Sequence, residues 1–175
     1  QQVIDGSVWD EFCDALKAAG RILKSERAPQ DAFNQAEGYR YLTRLLRGGL
    51  ESFLEFRDPQ FPQFRCAAHE TIKLGADNPD NRYLSCSIDP RCDYRITGTR
   101  GTVDYLGIGA VINRYASGGT METTGYLDAR HLAIAPDGRF EIIASQREQA
   151  GNWLQMGPPT NAINVMSLEQ LVALR

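Results

Sequence analysis

Apolar residues recur every three or four positions in the first third of the chain, which is the pattern of an amphipathic helix. Ser7 is a suitable N-cap for a helix that runs to about Lys24. The predicted apolar stripe of this helix consists of Trp9, Phe12, Cys13, Leu16, Ala19 and Leu23. Pro29 then interrupts the pattern, and Asp31 can cap a second helix that runs to Phe56.

Glycines are the unusual feature of the second predicted helix. Gly38, Gly48 and Gly49 each weaken it by about 1 kcal/mol relative to alanine. Two explanations fit this pattern: the helix packs closely against a neighbour, or it breaks near Gly48. Residues 57–64 contain two prolines and are expected to form an extended connector.

The second helix also carries a row of arginines. Arg40, Arg44 and Arg47 lie on one predicted face, at spacings of four and three. Glu37 and Glu51 are placed to pair with the first and the last of them. This face is either solvated or a clamp for a carboxylate or sulfate group.

After residue 82 the pattern acquires a period of two, which is typical of β-strands. The predicted strands are 82–88, 92–97, 102–113, 131–135 and 139–145. The first two are predicted to form a hairpin around Asp89 and Pro90, and the last two a hairpin around the turn at 136–138. Glycines in the middle strand indicate a bulge or a close backbone approach.

Short strands connected by turns favour an antiparallel sandwich or a jelly roll. We therefore predict an α+β fold, in which an N-terminal helical pair packs on an antiparallel, jelly-roll-like β-sandwich. The predicted domains are a helical segment at 1–64, a β-sandwich at 65–165 and a C-terminal helical stub at 166–175. A capped helix is predicted to begin at Ser167 in this stub. It buries little alone, so either it packs onto the sheet or the chain is part of something longer.

Composition and charge disfavour several classes of function. The chain has 175 residues, of which 42% are hydrophobic and 23% charged, as is ordinary for a globular protein. A net charge of -3 disfavours a nucleic-acid partner. No apolar run approaches the roughly 20 residues of a membrane span, and the N-terminus lacks the features of an export signal. We therefore predict no membrane partner and a cytoplasmic location.

The cysteines and histidines do not have the spacing of a metal site. No zinc-ribbon pattern is present among Cys13, Cys66, Cys86 and Cys92. His69 is followed by a glutamate but lacks the second histidine of a zinc-protease helix, and no glycine-rich nucleotide motif is complete. No metal and no cofactor are therefore predicted. A disulfide between Cys86 and Cys92 is one alternative, but reduced thiols are favoured because nothing indicates export.

The segment GADNPDNRY, residues 75–83, is the most unusual polar stretch. Its aspartates and asparagines suit a turn around Pro79, a polar-ligand or substrate site, or a calcium site, although the spacing is not that of an EF-hand loop. Its candidate ligand-binding residues are Asn78 and Asn81. The acid–base set of an enzyme would be His69, Asp77, Asp80 and Tyr83.

A second group of polar and aromatic side chains lies on and after the predicted strands. Alternation places Tyr94 on one face of its strand and Arg95 on the other. Such side chains could hold a polar ring or a sugar, or could form only a salt-bridged outer face; an arginine could also stabilise an anion in an enzyme. The candidate ligand-binding residues in this group are Tyr94, Arg95, Arg100, Tyr105, Arg114 and Trp153.

Several motifs together resemble a known family. In chain order they are AEGYRYLTRLLR, KLGADNPDNRY, YRITGTRGT, PDGRFEIIAS and GNWL. They resemble the bacterial family called domain of unknown function twelve-fourteen, over Trp9 to about Met156. The resemblance implies a jelly-roll-like β protein that binds or processes carbohydrate or another small molecule, and it supplies no catalytic residue. After GNWL the chain departs from the family pattern, because its last stretch is compressed.

Three functions are compatible with these observations. The first is a module that binds a small polar or carbohydrate-like ligand on a face of the β-sandwich. The second is an enzyme, a hydrolase or lyase, that acts on a small polar or amphipathic substrate. The third is a structural subunit of a larger assembly, with the helical pair as docking surface. We favour the first, because no nucleophile–base pair or metal triad is visible; a homo-oligomer is a further alternative.

Overall fold

Helices form the N-terminal part of the protein, and strands the remainder. A computed structural model describes residues 1–74 and 78–168. The α-helices are α1 (Gln2–Asp5), α2 (Ser7–Arg21), α3 (Ala32–Leu50) and α4 (Tyr115–Gly118). Shorter helical turns are the 3-10 turns at Ile22–Lys24 and Ala129–His131 and the π-helical turn at Glu51–Glu55. The two predicted helices correspond to α2 and α3 with the turns that follow them.

The caps of α2 and α3 differ in how well they follow the sequence pattern. The Asp31 carboxylate accepts a hydrogen bond from the Asn34 N–H at 3.0 Å, so it caps α3 as predicted. Ser7 does not cap α2, because the N-cap is Gly6, with a φ of 82°. This left-handed glycine joins α1 to α2, and the Asp5 carboxylate accepts the Ser7 N–H at 3.0 Å instead.

Close packing explains two of the glycines in α3. A Cβ atom on Gly38 would lie 2.7 Å from a methyl carbon of Leu23, and one on Gly48 would lie 3.1 Å from Ile72. The helix continues through Gly48 to Leu50 without a break. Of the two explanations for these glycines, the structure therefore supports close packing.

Seven strands are described in residues 81–168, and they form two sheets. The strands are β1 (Asn81–Ser87), β2 (Tyr94–Thr99), β3 (Tyr105–Asn113), β4 (Met121–Asp128), β5 (Arg139–Ser145), β6 (Trp153–Gln155) and β7 (Ala162–Leu168). One sheet has the order β1-β7-β3-β4 and the other the order β2-β5-β6. Among these strands only the β5–β6 pair is parallel. The α+β fold with a sandwich-like packing of sheets is therefore confirmed.

The hydrophobic core lies between the two sheets. Ile108 and Ile163 contribute to it from the four-stranded sheet, and Ile142 from the three-stranded sheet. All three side chains are almost completely buried. The sheets also meet through their backbones, because a Cβ atom on Gly125 would overlap the carbonyl oxygen of Gln155. This contact joins β4 to β6.

The first predicted hairpin is wrong. β1 pairs with β7, so that Tyr83 lies opposite Met166, whereas β2 pairs with β5 in the other sheet. A turn is present between β1 and β2, since the Asp89 carboxylate accepts the Arg91 N–H at 2.9 Å. That turn carries the chain from one sheet to the other. Alternation identifies the face of each residue but not the neighbouring strand, which explains the error.

The second predicted hairpin retains its turn but lacks one of its two strands. Gly138 has a φ of 83°, and its N–H donates to the Ala135 carbonyl at 2.8 Å. Residues 132–135 are not a strand. The Asn152 side chain accepts the Ala133 N–H at 2.7 Å and donates to the Ala133 carbonyl at 2.9 Å. Because a side chain satisfies these backbone groups, this segment needs no strand partner there.

Two further expectations concern β3 and the C-terminal end. The predicted strand at 102–113 begins only at Tyr105, and the predicted irregularity lies between Ala110 and Val111. The predicted helix does not begin at Ser167, because this residue belongs to β7 and takes part in its backbone ladder. Residues 169–175 lie outside the described residues. The division into three domains stays a prediction.

Candidate ligand-binding face

Strand register places a set of polar and small residues on the outer face of the four-stranded sheet. Residues opposite one another on neighbouring strands share a face, and the other face of these strands forms the core. One row across the sheet reads Tyr83, Met166, Gly107 and Asp128. The next row reads Ser85, Asn164, Gly109 and Tyr126. We call the following set the tyrosine face: Asn81, Tyr83, Tyr105, Tyr126, Asp128 and Asn164.

Two tyrosines meet at the centre of the tyrosine face. The hydroxyls of Tyr105 and Tyr126 form a short hydrogen bond with each other. Both hydroxyl oxygens occupy the space that a Cβ atom on Gly107 would fill, so the two side chains lean across the sheet over this residue. The Tyr126 side chain remains 51% exposed. Gly107 therefore permits an aromatic pair that is anchored at its tips and open to solvent.

An ion pair borders the two tyrosines. The Asp128 carboxylate is buried and accepts bonds from Arg130 Nε at 3.0 Å and Nη2 at 2.8 Å. It also accepts the Arg130 N–H at 2.9 Å. These hydrogen bonds lower the pKa of Asp128 to about 2. At neutral pH the face therefore carries a fixed carboxylate with a guanidinium beside it.

The protonation state of the tyrosine pair follows from its surroundings. Burial against the sheet, followed by the hydrogen bond to Tyr105, raises the pKa of Tyr126 to about 12. The carboxylate of Asp128 acts in the same direction. The Tyr126 side chain therefore keeps its proton at neutral pH and offers a hydroxyl rather than a phenolate.

Amides complete the face on the β1 and β7 side. Asn81 Nδ2 donates to the Tyr83 hydroxyl at 2.9 Å, and Asn164 Nδ2 lies 3.2 Å from the sulfur of Met121. Within the described part of the chain, both amide carbonyl oxygens lack a hydrogen-bond partner. These oxygens are therefore acceptors that remain available on the sheet surface.

The sequence-predicted ligand residues do not all converge on one surface. Asn81 and Tyr105 lie on the tyrosine face, as does Tyr83 of the predicted catalytic set. Tyr94 has a structural role, because its hydroxyl donates to the Pro59 carbonyl at 2.9 Å and accepts the Asp89 N–H at 2.8 Å. This residue holds the connector before β1 against the start of β2.

The remaining predicted ligand residues lie away from the tyrosine face. Arg95 pairs with Glu141 at 3.7 Å on the outer side of the three-stranded sheet. Trp153 Nε1 donates to the Ser145 carbonyl at 3.2 Å. Arg100 directly follows β2, and Arg114 directly follows β3.

Arg100 and Arg114 are also held by local contacts. The Arg100 N–H donates to the Gly138 carbonyl at 2.9 Å, while its buried Nε has no hydrogen-bond partner among the described residues. The Arg114 guanidinium lies 3.8 Å from the Glu122 carboxylate. A ligand-binding role for either arginine stays a prediction.

The acidic segment before β1 forms a turn in its described part. The Asn78 side chain accepts the Asp80 N–H at 3.0 Å, and the Asn78 carbonyl accepts the Asn81 N–H at 3.1 Å. These bonds agree with the turn interpretation. Asp77 of the predicted catalytic set lies outside the described residues. Among the residues that are described, no group of three or more His, Cys, Asp or Glu is placed to hold a metal ion.

His69 of the predicted catalytic set lies in a tight bend. Its Nδ1 accepts the Thr71 N–H at 3.3 Å and lies 3.2 Å from the Thr71 hydroxyl. The His69 backbone also pairs with that of Ile72. These contacts orient the imidazole toward its own loop.

A concave surface lies on the outer side of the three-stranded sheet. This groove has a volume of about 860 Å³. Its lining includes Thr97, Thr99, Arg139, Glu141, Ile143 and Asn152. Arg139 is engaged by the Asp137 carboxylate at 2.6 Å, and Asn152 is occupied by backbone groups. Two of the polar side chains that line the groove are thus already engaged within the protein.

The arginine row on α3 follows the predicted ion pairing. Arg40 pairs with Glu37, and Arg47 Nε lies 2.9 Å from the Glu51 carboxylate. Arg65 also pairs with Glu51 and lies 4.0 Å from the ring centre of Phe56. These hydrogen bonds from Arg47 and Arg65 lower the pKa of Glu51. The row thus belongs largely to a local ion-pair network.

The cysteines are free in the structure, and the favoured interpretation of reduced thiols stays a prediction. Cys86 is buried in the core, and burial raises its pKa to about 11. Cys92 is exposed. In the same residues, 1–74 and 78–168, no helix has the length and apolarity to cross a bilayer.

Sequence reasoning missed half of the tyrosine face. Tyr126 and Asp128 lie on β4, which was not predicted as a strand. Asn164 lies on β7, which was also not predicted. The signal for β4 was present, since Thr124, Tyr126 and Asp128 alternate with Gly125 and Leu127. The period of two was hard to recognise because threonine and glycine replace the usual apolar residues.

Comparison with known proteins gives structural relatives without a described activity. No family profile matches the chain, and no curated protein matches it. The chain is similar to an uncharacterised protein from Burkholderia cenocepacia whose crystal structure is known, with 48% sequence identity and a TM-score of 0.89. The match covers 98% of this chain and 48% of the Burkholderia protein. The VPA0106 protein from Vibrio parahaemolyticus is 13% identical with a TM-score of 0.41, covering 81% of this chain and 42% of its own. The chain thus spans about half the length of either solved protein.

Proposed function

We propose that the protein binds a small polar ligand of the carbohydrate type on the tyrosine face. The observation that carries this proposal is the Tyr105–Tyr126 pair held over Gly107 on the outside of the sheet. Aromatic side chains bury a large area at small entropic cost and retain a polar tip. A sugar ring offers the matching combination of apolar C–H groups and hydroxyls.

Hydrogen-bonding capacity around the pair supports a ligand that is rich in hydroxyls. The amide oxygens of Asn81 and Asn164 and the carboxylate of Asp128 accept, and the tyrosine hydroxyls both donate and accept. Arg130 adds a cation at the border of the face. Sugars and sugar acids would use these groups, whereas an apolar ligand would leave them desolvated and unpaired.

A thermal-shift screen tests the proposal. The probes are neutral monosaccharides, uronic acids, polyols and amino acids, each added to the 175-residue protein. A ligand that binds only the native state at ten times its Kd adds about 1.4 kcal/mol to stability, which corresponds to about 3 to 6 °C in Tm for a domain of this size. Any hit is then titrated calorimetrically.

Paired glycine substitutions provide a matched control. Gly107→Ala displaces both tyrosine tips, whereas a Cβ atom on Gly109 meets only ordinary contacts at 3.7 Å or more. We expect Gly107→Ala to abolish the shift caused by a hit and Gly109→Ala to retain it. Arg95→Ala, in the other sheet, should also retain it. A hit whose effect survives Gly107→Ala but is lost in Arg95→Ala would contradict binding at the tyrosine face.

The alternatives of an enzyme and of a structural subunit stay predictions. Neither of the two cavities described in this structure is lined by His69, by Asp80 or by a residue of the tyrosine face, so the cavities do not separate these alternatives from the proposal. The resemblance to domain of unknown function twelve-fourteen also stays a prediction. It agrees with the proposed binding role only in the general class of ligand.

A further inference from the structure

The helical part of the protein exposes several large apolar side chains. No residue of α2 is buried, and the one buried residue of α3 is the polar Gln35. Trp9 is 65% exposed although it belongs to the apolar stripe of α2. Other exposed large apolar residues on the two helices are Val8, Leu16, Phe33, Tyr39, Tyr41 and Leu50. Exposed large apolar residues that cluster on two helices are candidates for an interaction site.

A groove runs between α2 and α3 at the C-terminal end of α2. It has a volume of about 880 Å³. Its apolar lining consists of Leu16, Ala19, Leu42, Leu45 and Leu46. Gly20 also lines it and has open space where its side chain would be. The groove is therefore shaped to accept an apolar side chain from outside.

Trp9 and the groove lie on the same side of α2. Positions 9, 16 and 20 are spaced by seven and four residues, which aligns Trp9, Leu16 and Gly20 on one helical face. Trp9 lies about 16 Å along the helix axis from Gly20. A twofold, antiparallel contact between two copies of α2 would therefore bring each Trp9 to the groove of the other copy.

Charge along α2 is complementary to itself in the same arrangement. The first half of α2 is acidic through Asp10, Glu11 and Asp14. Its end and the following turn are basic through Lys17, Arg21 and Lys24. An antiparallel pair places the acidic half of each helix beside the basic half of the other, whereas a parallel pair would place like charges together.

We propose that α2 and α3 form the interface of a symmetric homodimer in which Trp9 of each copy inserts into the α2–α3 groove of the other. The occupant of the apolar face is thus a second copy of this chain. A twofold contact also closes on itself, so it covers both apolar surfaces without forming a filament.

Sedimentation and light scattering across about 1 to 200 µM test this dimer on the 175-residue protein. We expect a mass of twice the 19.5 kDa of one chain at the upper end of the range. Trp9→Ala should raise the dimer Kd by at least about 30-fold, as is typical of a buried tryptophan hot spot. Phe61→Ala is the matched control, since Phe61 is 75% exposed but lies outside α2 and α3, and it should leave the Kd unchanged. Circular dichroism confirms that both variants are folded.

Charge variants test the antiparallel arrangement separately. The double variant Asp10→Lys with Glu11→Lys makes α2 basic, and the double variant Lys17→Glu with Arg21→Glu makes it acidic. Each should lose the homodimer, and an equimolar mixture of the two should form a heterodimer. A monomer at every concentration would overturn the proposal and would mean that something other than this chain covers the face. A dimer that is insensitive to Trp9→Ala would overturn it as well.

Discussion

The hydroxyl groups of Tyr105 and Tyr126 meet above the backbone of Gly107, on the solvent side of the four-stranded sheet. The contact joins neighbouring strands β3 and β4 through their side chains. It exists because position 107 has no side chain, so that two tyrosine tips can occupy one site. This relationship makes Gly107 a position at which the tyrosine face can be altered without removing a polar group.

Gly107→Ala should separate the two tyrosines while leaving the fold intact. The displaced atoms are the tips of flexible side chains, so we expect the free energy of unfolding to fall by no more than about 1 kcal/mol. The pKa of Tyr126 should fall toward its ordinary value of 10. Ultraviolet titration of tyrosine ionisation measures this change, and Gly109→Ala serves as control. An unchanged titration in the Gly107 variant would contradict the described geometry.

Tyr126 should make the stability of the protein sensitive to high pH. Its pKa is raised to about 12 in the folded state, so the unfolded chain releases this proton first. The stabilisation is complete below pH 10 and is lost as the pH rises toward 12. Denaturant unfolding at pH 9, 10 and 11 should show a smaller decline for Tyr126→Phe than for the wild type. Equal declines would show that the Tyr126 hydroxyl is not held in its protonated form.

Asp128 should make the stability of the protein sensitive to low pH. Hydrogen bonds from Arg130 lower its pKa to about 2 in the folded state, so the unfolded chain binds this proton first. The stabilisation is present above pH 4 and is lost as the pH falls toward 2. Asp128→Asn should therefore be less stable than the wild type at pH 7, and the difference should shrink by pH 2.5. A constant difference across this range would exclude the ion pair as its cause.

The sequence pattern predicted which residues share a face of a strand better than it predicted which strands pair with each other. Alternation placed Tyr94 and Arg95 on opposite faces of their strand, and the structure agrees, because Tyr94 packs against the core and Arg95 pairs with Glu141 on the outer side. The sequence pattern also predicted the cap at Asp31, which depends on local chemistry, and offered close packing as one of two explanations for the glycines of α3. Features that depend on distant residues were missed. Tyr83 lies opposite Met166, and no local periodicity contains that information.

For the candidate site, too, single residues could be predicted from the sequence, whereas their arrangement in space could not. Asn81, Tyr83 and Tyr105 were selected for their chemistry, which is readable at each position. Their association with Tyr126 and Asn164 depends on the strand order β1-β7-β3-β4, in which neighbours are far apart in the chain. The helical pair was predicted to pack on the β-sandwich, yet Trp9 in the apolar stripe of α2 is exposed. Periodicity shows that a face is apolar and does not show what covers it.

Gly125→Ala should damage the contact between the two sheets. A Cβ atom at this position would overlap the carbonyl oxygen of Gln155, which is backbone and cannot rotate away. We expect the free energy of unfolding to fall by about 3 kcal/mol, at the upper end of overpacking effects. Denaturant unfolding measures the loss against Gly109→Ala, which lies on β3 and has room for the added methyl group. A Gly125 variant as stable as its control would contradict the close approach of β4 and β6.

Thiol labelling should distinguish the two cysteines that flank the turn after β1. Cys92 is exposed, whereas Cys86 is buried and has a pKa raised to about 11, which leaves little reactive thiolate near neutral pH. With iodoacetamide at pH 8, followed by mass spectrometry, we expect modification of Cys92 in the folded protein and of Cys86 only after denaturation. The rate at Cys86 should then follow global unfolding and rise in the Gly125→Ala variant, because that change weakens the core in which the thiol lies. Rapid labelling of Cys86 in the native protein would show that β1 does not protect it, and a Cys86–Cys92 disulfide would prevent labelling of both.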